Sequence, residues 1–538
     1  MKWNLGDILD HVAMAGDPAR PALIHGDRQL SWAELDQRSN NLARNLAMLG
    51  VGPGAKAAFY LRNVPEYMEF LAAALKGRLT HVNVNYRYRA AELLYILDNS
   101  DSEVVVYGSE FRPQVDAVRD SAPKVRVWLE VGEDVAAPSH AYEALALEGD
   151  GKPLGLVRDP DDPILIYIGG TTGMPKGVIW THDILMSAQL RSLASVNGTA
   201  PPDSLEGFLE HVRARGQFGR QLPAAPLMHA TGMTVAMGAM VAGGTVVTLP
   251  TTTRFDAAEL WDEVERHRVT GITIVGDAFA KPMLAALEEA PRVRDLASVA
   301  SIVSSGVVWS APVKQGLVRH LPDVILLDSL GSTEAPACGA SITTKDGEVA
   351  ATLDFRVGPE CRVFDEEDRE VAPGSGTIGY MARTGFIPLG YYKDEAKTRQ
   401  TFKTIDGVRY AIPGDLCTVE ADGRLVLLGR RSACINTGGE KVFAEEVEEV
   451  IKGHPSVDDA NVIGVPDERW GQAVVAVVAL RAGAVCDEAE LRDFVRARLA
   501  GYKAPKRLFF RPTLERHPNG KPNYDRMRAV ALAEMGLG

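Results

Sequence analysis

The sequence predicts an α/β protein in two parts: a large multi-subdomain N-terminal body with layered sheets and helices, and a small α+β C-terminal domain. Three observations carry this. A chain of 538 residues exceeds what one hydrophobic core organises. Short β-rich runs alternate with helical patterns along most of its length. Past Gly429-Arg430 the rhythm changes to a compact helix-strand-strand-helix series of about a hundred residues.

Taken in order, Ser31-Trp32-Ala33-Glu34 is a capping box, and Leu35, Leu42 and Leu46 give the following helix an apolar face until Gly50 stops it. Residues 57–61 read as a buried strand, 66–75 as a helix and 104–107 as a strand. Residues 196–222 interrupt the pattern with Pro201-Pro202-Asp203, a short capped helix at 203–206 and mixed charge through Arg220. They are expected to form a surface insertion. Residues 246–249, 272–275, 302–303 and 324–327 are further strands, separated by helices such as 257–267. In the last part, 445–452 reads as a helix, 460–465 and 473–480 as strands, and 487–500 as a helix started by Asp487 and Glu490. The domains are therefore expected at 1–431 and 432–538, with the boundary at Ser432.

Composition excludes several classes. With 46% apolar and 24% charged residues the chain can bury a sizeable core, and a formal charge of −13 gives no general attraction to nucleic acid or an anionic membrane. Cys338, Cys361, Cys417, Cys434 and Cys486 are odd in number and lack a C-x-x-C pair, so they read as buried, reduced thiols. His182, His267, His320 and His454 show no metal-ligand spacing. Residues 1–20 carry Asp7, Asp10 and Asp17 with no apolar run of signal-peptide length, and no run reaches membrane-spanning length. A cytoplasmic protein without a membrane span is expected.

The most informative stretch is 167–178, Y-I-G-G-T-T-G-M-P-K-G-V, which follows the apolar run Ile164, Leu165 and Ile166. Gly169, Gly170 and Gly173 remove the Cβ atoms that keep a backbone away from a polyphosphate, Thr171 and Thr172 offer hydroxyls, and Lys176 a charge. The loop suits an anion. It is not the nucleotide loop G-x-x-x-x-G-K-[ST], because Pro175 precedes and Gly177 follows the lysine. A plain glycine-rich hairpin turn would account for the glycines, but not for the paired threonines or the Pro-Lys-Gly ending.

Further stretches follow in order: Pro226-Leu227-Met228-His229-Ala230-Thr231-Gly232, then Asp328-Ser329-Leu330-Gly331-Ser332-Thr333-Glu334, then Tyr410 through Asp415. After them come Gly429-Arg430, running on to Gly438-Gly439-Glu440-Lys441, and Pro518-Asn519-Gly520-Lys521. In this order and at these distances they resemble the adenylate-forming superfamily of acyl-CoA synthetases, adenylation domains and luciferases, over essentially the whole chain. Activating a carboxylate with ATP needs no protein nucleophile. It needs cations and backbone donors around developing charge.

The resemblance implies ATP, CoA and Mg²⁺ as cofactors, and Lys521, His229, Thr171 and Glu334 as residues of the reaction, Glu334 being the metal ligand. It implies nucleotide contacts from Gly169, Gly170, Thr171, Thr172, Gly173, Lys176, Ser305, Gly306, Asp328, Gly331, Ser332, Thr333, Asp415, Arg430, Gly438, Gly439 and Lys521. Among these, Asp415 grips both ribose hydroxyls and Arg430 also touches the ribose. His229 stands at the junction of acyl and pantetheine channels, and His229, Met233, Gly276, Asp277 and Leu330 line the acyl pocket. The C-terminal domain is expected to be mobile about Ser432.

The chain departs from the family pattern in places. Ile168 and Gly169 occupy the common Thr-Ser positions, Leu330 stands where an aromatic residue is common, Ser432 replaces the usual Asp or Lys, and Ala444 the usual Pro. The segment Gly276-Asp277-Ala278-Phe279-Ala280-Lys281-Pro282, with the Leu330 variant and the 196–222 stretch, is similar to actinobacterial acyl-CoA synthetases for steroid side chains and long-chain acids. The expected reaction is activation of a medium- or long-chain fatty acid or a steroid side-chain acid to acyl-AMP and then acyl-CoA. Loading of a carrier protein and a catalytically inactive nucleotide-binding homologue are the alternatives. A homodimer is a candidate assembly.

Overall fold

The computed structural model describes residues 2–169, 174–197, 200–214, 219–289, 292–307, 309–347, 354–430, 434–437, 440–467, 471–499, 501–517 and 520–537. The chain forms two compact units, 1–350 with 383–411, and 351–382 with 412–538. Mixed α/β layers build the first, and the second includes a small α+β sheet.

The first unit contains a largely parallel sheet in the order Arg28–Ser31, Pro21–His25, Thr245–Thr248, Arg220–Pro223, Gly271–Ile274, Ser301–Ser305, Ile325–Leu330 and Gly339–Thr343. The two outermost strands run antiparallel to their neighbours and the rest are parallel. Parallel strands need a crossover, and here a helix such as Ala257–His267 supplies it. That helix starts where Asp256 accepts from the amides of Ala258 and Glu259. It buries Leu260, Trp261 and Val264 on the sheet, and the Trp261 indole donates to the Met283 carbonyl at 2.9 Å. The capping box at Ser31 and Glu34 is present as expected.

One expectation is overturned. Residues 196–222 are not a surface insertion throughout: Arg220–Pro223 is an interior strand between Thr245–Thr248 and Gly271–Ile274. The Gln221 amide is held by a 2.8 Å bond to the Thr273 hydroxyl, and Leu222 is buried. The preceding helix is also longer than expected, Leu205–Ala214, and buries Phe208, Leu209 and Val212.

The second sheet of this unit runs Gly390–Tyr391, Lys176–Thr181, Pro163–Ile168, Thr80–Asn83, Lys56–Tyr60, Ser102–Gly108, Val127–Val131 and His140–Ala141. Strands Pro163–Ile168 and Lys176–Thr181 are antiparallel, with Ile168 opposite Lys176. The glycine-rich stretch therefore lies between two paired antiparallel strands. Gly177 has a structural reason: a Cβ there would lie 2.8 Å from the ring of Tyr167, its cross-strand partner.

In the second unit, the strands Asp354–Val357, Arg424–Arg430, Asp415–Val419 and Gly379–Arg383 pair antiparallel in that order. A separate small sheet holds Glu440–Phe443, Cys434–Thr437, Gly471–Leu480, Val457–Asp467 and Arg507–Arg511. Residues 473–478 are apolar without alternation because both faces are covered. Val474, Ala476 and Val478 pack with the helices Ala444–Lys452 and Glu488–Arg496, while Ala473, Val475 and Val477 meet Met527 and Ala531 of Tyr524–Glu534. At roughly 1.5–3 kcal/mol for each fully buried valine-sized side chain, two such cores stabilise a unit of this size.

Cys338, Cys361, Cys417 and Cys486 are buried and form no disulfide, as expected, while the side chain of Cys434 lies outside the described residues. Among the described residues no helix is long and apolar enough to cross a membrane.

Candidate active site

Four parallel strands of the first unit end side by side, and each runs straight into one of the singled-out stretches. After Arg220–Pro223 comes Pro226 to Gly232; after Gly271–Ile274, Gly276-Asp277; Ser301–Ser305 runs on to Gly306; and Ile325–Leu330 runs on to Gly331 through Glu334. The carboxyl edge of a parallel sheet is where α/β folds bind ligands, because successive loops there converge while the strands hold them rigid. His229, Met233, Gly276, Asp277, Ser305, Gly306, Asp328, Leu330, Gly331, Ser332, Thr333 and Glu334 are all brought to this edge.

Local chemistry shapes these loops. The Gly276 amide donates to Ser304 Oγ at 2.8 Å, tying two adjacent strand ends. A Cβ on Gly232 would meet the Pro226 carbonyl oxygen at 2.4 Å, so only glycine lets the helix Ala230–Val241 start against its own loop. A Cβ on Gly331 would meet the Ala335 oxygen and the Ala337 nitrogen, each at 2.8 Å. Ser332 closes this turn, its amide donating to the Ala335 carbonyl and its hydroxyl accepting from the Ala335 amide. Met233 and Leu330 are buried.

Several candidate carboxylates already have partners. Asp277 accepts from the Ser310 amide at 2.9 Å. Asp328 is buried and accepts from Lys314 Nζ at 3.0 Å, with the lysine itself only 2% exposed and over the ring of Trp309. Burial pushes the Asp328 carboxyl up, and the Lys314 ammonium opposes that shift. Glu334 is buried and accepts from the Tyr391 hydroxyl at 2.6 Å on Oε1. Its Oε2 is a hard oxygen donor of the kind Mg²⁺ takes, so this residue fits the metal expected of it.

The glycine-rich loop reaches the same region through Asn83, which sequence reasoning missed. Its buried amide donates to the Tyr167 carbonyl at 2.8 Å and to the Met228 carbonyl at 2.7 Å, and its oxygen accepts from the Tyr167 amide at 2.6 Å. One side chain thus joins the strand that enters the loop to the stretch carrying His229. Gly170, Thr171, Thr172 and Gly173 lie outside the described residues. Lys176, at the loop's exit, donates to Asp394 Oδ2 at 2.6 Å, and this bond is the main cause holding the Asp394 carboxyl below its usual range.

The other candidates belong to the second unit. Asp415 begins its strand, is buried, and stands opposite Arg430 in the antiparallel register. A Cβ on Gly429 would lie 2.0 Å from the Glu445 carboxylate, so glycine admits that side chain. Lys521 is exposed at the end of a turn in which the Gly520 amide donates to the His517 carbonyl and the His517 amide to the Lys521 carbonyl. Arg516, paired to Asp459 by two 2.6 Å bonds, also donates to the Gly520 carbonyl and fixes the turn's base. Gly438, Gly439, Ser432, Pro518 and Asn519 lie outside the described residues.

Among the described residues, one His/Cys/carboxylate group is close enough to suit a metal: His454, Cys486 and Glu490. The Ser456 amide donates to His454 Nδ1, which leaves the ring proton on Nε2, 3.4 Å from Glu490. A metal at Nε2 requires the other tautomer and the loss of that amide bond.

Residues 10–392 match the model of the AMP-binding enzyme family, and residues 446–521 that of the AMP-binding enzyme C-terminal domain. The chain is 39% identical over 533 residues to a 3-oxocholest-4-en-26-oate–CoA ligase of Rhodococcus rhodochrous, covering 97% of this chain and 95% of that one. It is 40% identical over 534 residues, with the same coverage, to a medium/long-chain-fatty-acid–CoA/3-oxocholest-4-en-26-oate–CoA ligase of Mycobacterium marinum. Its fold is that of ATP-bound MatB from Rhodopseudomonas palustris, with a TM-score of 0.80, 24% identity, and coverage of 98% of this chain and 99% of that one.

Proposed function

We propose, for a chain that belongs to the AMP-binding enzyme family and is an AMP-forming acid–CoA ligase, that the acid it activates is a medium- or long-chain fatty acid or a steroid side-chain acid. The observation that carries this reading is similarity at 39% and 40% identity, over 97% of the chain, to enzymes named for those acids. The strand-end edge supports it, since Met233 and Leu330 present apolar side chains and Gly276 none.

In the first half-reaction a carboxylate oxygen of the acid attacks the α-phosphorus of ATP, and the bond to the departing pyrophosphate breaks. In the second the CoA sulfur attacks the acyl carbon, AMP leaves and the thiol proton goes to solvent. No side chain becomes acylated, so the residues serve to position and neutralise. Lys176 and the loop amides and hydroxyls of Gly169, Gly170, Thr171, Thr172 and Gly173 take the phosphates. Ser305, Gly306, Asp328, Gly331, Ser332 and Thr333 shape the nucleotide seat at the strand ends. Asp415 and Arg430 hold the ribose, and Lys521 neutralises charge while pyrophosphate leaves. His229 stands where acyl and thiol groups meet, while Gly438 and Gly439 admit the pantetheine arm. Glu334 would hold Mg²⁺, which when bound screens phosphate charge.

The test is pyrophosphate release and thioester formation across acetate, propionate, fatty acids of rising length, and aromatic and steroidal acids, with and without CoA. Thioesters of long or polycyclic acids at the highest kcat/KM are the expected result. A kcat/KM for acetate or propionate above that for every acid of about eight or more carbons ends the substrate reading. Pyrophosphate release that yields thioester only when a carrier protein is added transfers the acceptor role from CoA to the carrier.

A further inference from the structure

The short strand Gly390–Tyr391 and the turn after it reach two candidate groups at once. Gly390 and Tyr391 pair antiparallel with Ile179 and Val178, the Leu389 amide donates to the Ile179 carbonyl, and the Tyr392 amide donates to the Gly177 carbonyl. This register carries the segment alongside the strand that Lys176 begins. From there the buried Tyr391 hydroxyl bonds Glu334 Oε1 at 2.6 Å, and Asp394 Oδ2 accepts from Lys176 Nζ at 2.6 Å. Glu334 is 57 residues from Tyr391 and Lys176 is 218 from Asp394, so the fold alone unites them.

The segment is built to stay in place. Asp394 caps the helix Glu395–Thr401 through Oδ1 and the Lys397 amide, which leaves Oδ2 for the lysine. The Thr398 hydroxyl accepts from the Tyr391 amide and donates to the Asp394 carbonyl. A Cβ on Gly390 would come within 2.5 Å of that threonine, so the turn is closed as tightly as the chain allows. On the outer side, Tyr392 and Lys393 both grip Asp101, at 2.8 and 2.7 Å, and Lys124 holds the other oxygen of the same carboxylate. Hydrogen bonds from Lys124, Lys393 and Tyr392 draw the Asp101 carboxyl well below its usual range against the opposing effect of burial. The Tyr391 ring rests edge-on against Phe402.

We propose that residues 390–394 are a positioning element for the polyphosphate chemistry, Tyr391 setting the Glu334 carboxylate and Asp394 the Lys176 ammonium. The inference rests on the reading above that Glu334 holds Mg²⁺ and Lys176 meets the phosphates. A carboxylate with one oxygen tied down presents the other in a single direction, as supporting bonds do for metal ligands generally. An ammonium with one proton engaged aims its other two.

Tyr391→Phe removes only the hydroxyl and keeps the ring on Phe402. Its readout is Mn²⁺ affinity in the presence of α,β-methylene-ATP, followed by electron paramagnetic resonance beside Glu334→Gln and wild type. Tyr391→Phe is expected to weaken Mn²⁺ about five- to tenfold and to leave metal-free analogue binding unchanged, while Glu334→Gln loses the metal. Wild-type Mn²⁺ affinity in Tyr391→Phe, with loss in Glu334→Gln, overturns the positioning role alone. Unchanged affinity in both overturns the metal reading beneath it. Should Tyr391→Phe not fold, Asp394→Asn tests the second grip, because an amide still caps the helix. Its kcat for acid-dependent pyrophosphate release is expected to fall about tenfold while the Kd of the analogue is unchanged or tighter, since a charge repelling the nucleotide is gone. A kcat within twofold of wild type, or a Kd that worsens in step with kcat, overturns the proposal.

Discussion

Asp415 and Arg430 stand opposite each other on neighbouring antiparallel strands, so both ribose candidates issue from one rung of a ladder. Asp415 is buried where its strand begins. An amide at that position accepts two hydroxyl donors less strongly than a carboxylate, and charge-assisted bonds contribute roughly 1.5–3 kcal/mol. Asp415→Asn is therefore expected to raise the KM for ATP by roughly ten- to a hundredfold with little change in melting temperature. An unchanged KM and rate in steady-state assays takes Asp415 out of the ribose site.

Lys521 is offered to solvent by a turn that Arg516 and Asp459 anchor. Its charge is needed only while pyrophosphate departs, so Lys521→Ala should lose adenylate formation and keep the discharge of pre-formed acyl-adenylate by CoA. Supplying synthetic adenylate checks this. A variant that converts adenylate no better than acid plus ATP contradicts a role confined to one half-reaction.

Asn83→Ala should harm both stability and activity. The change strips partners from three buried backbone groups of Tyr167 and Met228, at roughly 1–3 kcal/mol for each group left unsatisfied. A melting temperature several degrees lower is expected, together with slower pyrophosphate release as the loop and the His229 stretch lose register. Calorimetry and the release assay read these separately. Wild-type values in both show that the amide bridge is dispensable.

The proposed pivot at Ser432 is tested by Ser432→Pro, since proline restricts φ and hinders a backbone rotation. One half-reaction, either pyrophosphate exchange or thioester formation from adenylate, is expected to survive while the complete cycle is lost. Both half-reactions and full turnover at wild-type rates would move the pivot elsewhere.

Elements whose signals are local were legible in the sequence. The capping box at Ser31 and the apolar face of Ala257–His267 needed no distant information. The strand Arg220–Pro223 was not, because its polar first half shows neither alternation nor an apolar run, and its place is set by Gln221 meeting Thr273. The stretches at 226–232 and 328–334 were picked out by motif, and sheet register then sets their strands in one parallel ladder. Their supports escaped notice for one physical reason: Asn83, Lys314, Tyr391 and Asp394 act through partners set by sheet register and packing, in three of the four cases dozens to hundreds of residues away. Even Lys314 and Asp328, only 14 residues apart, meet because a helix folds back on the next strand.

The convergence of four loops on one sheet edge also bears on how this protein can be altered. Each loop hangs from its own strand, and the ladder beneath is sealed by buried residues such as Leu222, Ile272, Ile302 and Leu326. Exchange of side chains at Met233 and Leu330 is thus separable from the scaffold that holds them, whereas Gly232 and Gly331 are fenced in by carbonyl and amide groups within 2.8 Å, and Gly276 holds a φ of +54° that residues with a Cβ rarely adopt. A library built for new acids would randomise Met233 and Leu330 and leave the three glycines untouched.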